Sequence, residues 1–562
     1  MRKRYVVISV LCVAVCLFMT AADVSARSLT RSDFRQIART GFEAWGGDSA
    51  NSYSWGVGWF NNDLYVGTVR HHLWSLGVGL STMFPIGGVD LADPPSVTTW
   101  GDPAYADEMA GQIWRFRDNT WEMVHKSETF ILPVQIQIPI PGTDPVQFFT
   151  IPAGTYPIAY GYRTVGEFDG YLYACGVGTW IPPMPKSSVV RSSSGDAGSW
   201  DDVTGILAGT INVRGLVEWN GKLYTAASLP GLLPGVGGQA VVYRFTGVGP
   251  GFWEQVSLPS FGLGENNAEI YYLTVFNNHL YASTVNLVTG FEVWKTNGEE
   301  DLDNPGLLKW TRVINHGFGD TWNQFGMTMQ AFGDYLYIGT AVGAGYVQKD
   351  GAPVGSRPIE IIRVDKDDNA QLIVGSRFAY DPIDGGPTRR RPLSGWPAGF
   401  GNPFNVYAWH MEVFQGWLYL GTFDMTSVIV QAVQQDPSLL GTLLEMFTDG
   451  FSATDLRFTF PTSIINSLLR GRFSQAVLSL MNRNFGGGDI WKTRDGIHWI
   501  PVTLNGLGNP NNYGIRRLVP YNDQVLAVGT ANPFTGKPGG GCEVWLAGKI
   551  PQSGNSYFDR RR

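Results

Sequence analysis

Three arginines, Arg163, Arg214 and Arg516, hold the same position in copies of one repeated segment, five residues ahead of a closing aromatic. In the other copies that column reads Trp55, Tyr271, Met327 and Trp409. The next column reads Gly56, Thr164, Gly215, Tyr272, Thr328, His410 and Arg517. A guanidinium fork grips carboxylate, sulfate or phosphate through parallel hydrogen bonds. With Arg517 beside them, the three arginines would make a cationic pocket in a chain of net charge -7. Trp55, Tyr271 and Trp409 would stack on a sugar or aromatic ring. Tyr271, Glu269 and His410 are the candidates for chemistry. The plainer expectation is that the arginines pair with acids of neighbouring repeats, Glu269 or Glu412, since a buried charge needs a partner.

Only the repeat itself could bring these residues together. "FNNDLYVGTVR" at 60–70 returns as "FNNHLYASTVN" at 276–286 and "FGDYLYIGTAV" at 332–342. Its Leu-Tyr core recurs at Leu172-Tyr173, Leu223-Tyr224 and Leu418-Tyr419, with a degenerate copy at Val525-Leu526. Asn, Asp and Gly in the turn before each core signal tight hairpins. A second strand follows each core, from "GQIWR" ending at Arg115 to "CEVWL" ending at Leu546. After a polar turn, most copies add an outer strand, such as 121–124 or 499–502. Four-stranded antiparallel units repeated radially predict an all-β fold, a seven-bladed β-propeller. The last copy lacks an outer strand of its own. The segment "FRQIARTGF", 34–42, parallels "WTRVINHGF", 310–318, and is expected to close the ring; the tail "NSYFDRRR" is the alternative. The inner strands would line the channel, and alternation leaves open which of the two columns faces it.

In these motifs the chain resembles the exported bacterial propellers built from "LYxGT … EIWR … DG … W" repeats, which are similar to Asp-box and Kelch-like propellers. The resemblance covers nearly the whole mature chain. Thr493, Asp495, Gly496 and Trp499 stand one residue short of the Asp-box pattern, a turn that is structural in that family. Sialidases, which are Asp-box propellers, use an arginine triad, a Tyr–Glu pair and an Asp. The residues here that the resemblance points to are the arginine column with Tyr271, Tyr272 and Glu269. The chain departs from sialidases in blade number and lacks their Arg-Ile-Pro segment.

Composition agrees with strands and turns: Gly 71, Trp 20, Tyr 23 and Phe 31, with only 16% charged residues. The acidic balance gives no basis for nucleic-acid binding. Arg2, Lys3 and Arg4 precede an apolar run and an A-x-A-like site at 24–26, the pattern of a signal peptide. The expected organisation is a signal peptide at 1–26, a propeller at 27–550 and a tail at 551–562, in a secreted or periplasmic protein. No segment of the mature chain reads as transmembrane, and a monomer is expected. Cys175 and Cys542 are the cysteines left after cleavage, so no dense disulfide framework is expected.

Insertions near 69–110, 126–157, 341–358 and 423–488 all fall on the face where the inner strands begin, called the upper face. Function concentrates in such loops. The insertion in blade 6 reads as helical, packed on its own blade, with a lid over the channel mouth and membrane docking as alternatives. The turns "GFGDTWN", "GFGNPFN" and "GLGNPNN" end in Asn323, Asn405 and Asn512, and Asn suits the holding of a turn. His71, His72, His316 and His410 show no metal-ligand spacing. No metal site or cofactor is assigned, though a bound metal ion is allowed for. The first functional reading is an exported propeller binding a small anionic ligand, an acidic glycan or a protein partner. The second is a hydrolase or lyase acting on an acidic saccharide or polymer. The third is a metal-dependent oxidase.

Overall fold

Most inner hairpins turn on residues that tolerate left-handed backbone. Asn61 and Asn62 lie at φ 49° and 67°, Asn277 and Asn278 at 47° and 60°, and Asn522 and Asp523 at 47° and 50°. Paired positive φ values make a type I′ turn, whose twist matches the strands it joins. The computed structural model describes residues 28–72, 95–96, 98–140, 147–178, 187–229, 238–247, 251–263, 266–342, 347–349, 352–354, 357–379, 389–437 and 475–548. The expected signal peptide, the tail and the middle of the 423–488 insertion lie outside these residues.

The described chain is mostly β. Asn51–Phe60, Asp63–Arg70, Gln112–Arg117 and Thr120–Lys126 pair antiparallel in chain order. The same meander runs from Gly161–Phe168 to Trp200–Asp202, and from Ile211–Trp219 to Trp253–Gln255. It recurs from Glu269–Phe276 to Thr311–Ile314, and from Phe325–Phe332 to Ala370–Val374. A further copy runs from Asn405–Phe414 to Trp499–Thr503. The final unit, Gly514–Tyr521, Val525–Ala531 and Val544–Gly548, takes its outer strand from the other end of the chain. There Phe34–Ala38 pairs antiparallel with Val544–Gly548, with Phe34 opposite Ala547.

Successive units meet at the upper ends of their inner strands, as at Val69 with Gly161, Val285 with Phe325, and Phe423 with Gly514. Tyr53 opposite Ala531 joins the final unit to the first, which closes the circle. Apolar layers fill the spaces between sheets: Cys175 and Val189 pack with Val213 and Val241, and Ala226 and Val242 with Ile270 and Leu273. Radially arranged antiparallel sheets of this kind are a β-propeller.

A polar lock recurs in four of the units and fixes each of them to the turn before it. Asn323, Asn405 and Asn512 donate to the carbonyls of Gly317, Gly399 and Gly506 and to the carboxylates of Glu360, Asp489 and Glu543. Asn51 does the same with Gly41 and the Gln112 side chain. The turn forces an apolar residue to positive φ, 71° at Phe42 and 56° at Phe400, which bulky residues rarely adopt. Ring stacking offsets that cost: Phe42 lies 4.8 Å from Trp114 at 6°, and Phe400 lies 4.2 Å from Trp491 at 8°. The Asn residues that end these turns are structural.

Helix α1, Pro103–Met109, sits in the first insertion. A ribbon of two short paired segments, Thr129–Leu132 with Gly154–Pro157 and Ile136–Ile140 with Gln147–Ile151, forms the second. Helices α2, Thr426–Gln435, and α3, Gln475–Phe485, lie between Trp417–Asp424 and Ile490–Thr493. Among the described residues no helix is long and apolar enough to cross a membrane. Cys175 and Cys542 are free and buried, and burial pushes both thiols up to about 12. Thiols so poised are inert at neutral pH.

Candidate functional site

A β-bulge sits at the upper end of the inner strands, in the column that carries the arginines. Trp55, Arg163, Tyr271, Met327, Trp409 and Arg516 are each skipped in the register of their hairpins, and two irregularities bracket Arg214. A bulge inserts one residue and re-aims its side chain. Strict alternation is therefore broken where the sequence left two columns open, and both columns make contacts across the ring.

The first column forms a collar of cation–aromatic pairs. The Arg163 guanidinium lies 4.4 Å from the Trp55 ring centre, that of Arg214 3.8 Å from Tyr271, and that of Arg516 5.0 Å from Trp409. Each pair spans neighbouring units. Trp55 and Trp409 are only 5% and 6% exposed. A Cβ on Gly514 would come within 1.9 Å of the Trp409 ring, so glycine is required there. The indoles hold the guanidinium planes and leave no open face for the sugar stacking expected of them.

The arginines divide by partner. Arg214 donates through Nε and Nη2 to the Glu269 carboxylate, at 3.1 and 2.8 Å, and Asn212 donates to the other oxygen at 2.7 Å. Arg517 donates to the backbone carbonyls of Trp55 and Arg163, each at 3.2 Å. It bridges the final unit to the first two. Among the described residues Arg163 reaches only the Asn212 side-chain oxygen, at 3.5 Å. Arg516 makes no hydrogen bond to a described carboxylate, and the Nε atoms of both Arg163 and Arg516 are buried without a partner. Among the described residues the expected pairing with neighbouring acids therefore holds for Arg214 and is not met for Arg163 and Arg516.

The electrostatics follow. Burial, with Arg517 next, pulls the Arg516 guanidinium down to about 9. Burial, then Arg214, pulls Arg163 well below its ordinary value. Burial also pulls Arg214 down, yet Tyr271 and Glu269 outweigh it and leave Arg214 raised. For the Tyr271 hydroxyl burial raises, but Arg214, Arg163 and Arg516 together leave it below the ordinary phenol value.

The second column lies just below. The Leu518 backbone N–H donates to His410 Nδ1 at 3.4 Å, and Nε2 stands 3.2 Å from the Tyr272 hydroxyl. An occupied Nδ1 assigns the proton to Nε2. Burial, then Arg517 and Arg516, hold the ring neutral, well below its ordinary value. His410 is thus a positioning residue for Tyr272, with no lone pair left to act as a base. Two residues further along the same strand, burial raises Glu412 to about 7.

Several collar residues escaped the sequence reading. Tyr53, Asn212, Phe325 and Tyr407 stand two places before the bulge column, where the same alignment would have found them. Tyr53, Tyr513, Trp409 and Tyr407 form a chain of ring contacts, 5.8, 6.0 and 6.1 Å apart in succession, which Phe325 continues to Tyr271 at 6.3 and 5.5 Å. His72 packs 4.2 Å from Tyr53 and is driven to about 3 by burial, then by Arg163 and Arg516. The sequence names it only as one of four histidines near the upper face. The collar thus has an aromatic arc and a cationic arc. Helices α2 and α3 pack on the aromatic arc through Ile429, Val433, Leu478 and Met481. Elsewhere on this face, His71 contacts Glu108 at 3.1 Å and His316 lies at φ 49° in a turn. Among the described residues no group of three or more His, Cys, Asp or Glu is placed to hold a metal ion.

No family model and no curated protein matches the chain. Solved structures do. An α-L-arabinanase from Penicillium chrysogenum is 13% identical, with 68% of this chain and 92% of that one covered, at TM-score 0.33. The endosialidase of phage phi92 is 11% identical over 70% of this chain and 64% of that one, at TM-score 0.30. An exo-β-1,3-galactanase from Phanerochaete chrysosporium is 8% identical over 46% of this chain, at TM-score 0.28, and this chain spans only 55% of it. Likeness this weak carries no argument about fold or function, and the propeller rests on its own strand pairing.

Proposed function

We propose that this chain is an exported, seven-bladed propeller that binds an anionic ligand, an acidic glycan being the favoured kind, in the collar at its upper face. The meanders, with the N-terminal strand as the last outer strand, support the count of seven. The sixth blade carries the helical insertion, which roofs the aromatic arc. One observation carries the binding reading: Arg163 and Arg516 are buried, side by side with other cations, their Nε atoms have no partner, and neither makes an ion pair with an acid among the described residues. Charges buried without a partner are costly, and an anion supplies the partner. The guanidinium edges face it, because the indoles cover their planes. Titration of the purified protein with glucuronate and with sulfate at low ionic strength tests this. Binding that weakens as salt rises is expected. Absence of binding by either anion sinks the reading.

A second reading, an enzyme acting on an acidic saccharide, is supported by Tyr271. Its hydroxyl is depressed despite burial, and Glu269 stands two residues before it with both oxygens held. A depressed hydroxyl beside cations is an activated nucleophile or acid. Release of reducing ends from acidic polysaccharides is then expected of the protein and lost in Tyr271→Phe. Equal release by that variant removes Tyr271 from the chemistry.

A further inference from the structure

The charges around the collar do not balance for a ligand of one negative charge. Arg214 is neutralised by Glu269, whose two oxygens are taken by Arg214 and Asn212. Arg163, Arg516 and Arg517 remain, the last hydrogen-bonded among the described residues only to backbone carbonyls. Among the described residues the remaining carboxylate that acts on this group from the strands is Glu412, below Arg517, and burial raises it to about 7. His72 and His410 are neutral. Guanidinium groups do not discharge in proteins. A monocarboxylate would leave at least one buried cation uncompensated.

We propose that the collar selects a tetrahedral dianion, a phosphate monoester or free phosphate, over singly charged acids of the same size. This rests on the anion-binding reading above and names its ligand chemistry. Arg163 and Arg516 would each present an edge to the oxyanion, and Trp55 and Trp409 keep those edges fixed in direction. Fixed forks lose little entropy on binding and discriminate by charge and shape.

Glucose 6-phosphate and glucose 6-sulfate separate the charge from the rest of the molecule. At about pH 7.5 the phosphate monoester carries close to two charges, whereas the sulfate monoester carries one. Calorimetric titration of the full chain is expected to show the phosphate binding at least about tenfold tighter, one charge contact's worth. Arg516→Gln, which removes one charge, should bring the ratio close to one, and Arg516→Lys should keep most of it. Inorganic phosphate identifies the source: equal affinity with the ester points to the free ion, and a tighter ester points to a phosphorylated sugar, both within the proposal. Equal or tighter binding of the sulfate monoester, or of glucuronate, overturns the dianion inference and leaves the anion site standing. Failure of every anion to bind overturns both.

Discussion

A chain that begins at residue 39 is expected not to fold. Residues 28–38 supply the outer strand of the final unit and much of its packing. Leu29, Phe34 and Ile37 are 2%, 5% and 9% exposed. Burying each such side chain is worth about 1.5–3 kcal/mol, and their sum approaches the whole stability of an ordinary domain, about 5–15 kcal/mol. Polar ties add to it: the Tyr419 hydroxyl accepts from the Leu29 N–H at 3.3 Å, and Arg31 donates to the Leu507 carbonyl at 2.6 Å. Loss of this segment would also expose the edge of Val544–Gly548, an invitation to aggregation. Chemical denaturation of the truncated chain, followed by tryptophan fluorescence, checks this. A cooperative transition at the full-length midpoint would show that ring closure by Phe34–Ala38 contributes little.

The collar arginines should respond to substitution with opposite signs. Arg214→Met strands the Glu269 carboxylate in a buried site and should cost about 3–5 kcal/mol, as when one partner of a buried pair is removed. Arg163→Met and Arg516→Met remove charges that make no ion pair with an acid among the described residues. Met retains contact with the indole beneath. Each of these two should stabilise the ligand-free protein by about 1–4 kcal/mol, the range for apolar replacement of buried charges. Each should also weaken anion binding about tenfold or more, since a hydrogen bond to a charged group is worth about 1.5–3 kcal/mol. Stability kept below its optimum for the sake of a site is the expected trade. Denaturant midpoints of the three variants, measured without added anion, separate these outcomes. Three equal losses would mean that all three arginines are structural.

Much of the fold can be read from local chemistry, because the repeat repeats its causes. Asn61-Asn62 and Asn277-Asn278 specify their turns through backbone preference alone, and Trp114, Trp491 and their stacked partners recur with the turns they hold. The collar is less legible for a physical reason. Alternation predicts one face per column, and the bulges at Trp55, Arg163 and Arg516 suspend alternation there. Nothing local says that Arg163 will cover Trp55 from the next unit, or that Arg517 will spend its donors on two backbone carbonyls. The sequence brings His72 near the upper face but not onto the Tyr53 ring, because it sits in a long insertion whose path the repeat does not dictate.

The most direct test of the collar is the anion dependence of unfolding. Wild type, Arg163→Met and Arg516→Met would be melted in sulfate and in chloride matched for ionic strength. A ligand that binds the folded state alone stabilises it in proportion to the logarithm of occupancy. The predicted result is a rise in wild-type melting temperature that is specific to sulfate. Both variants should start above wild type in chloride and gain little from sulfate. Variants that start below wild type, and gain from sulfate as much as it does, would contradict an anion site at Arg163 and Arg516.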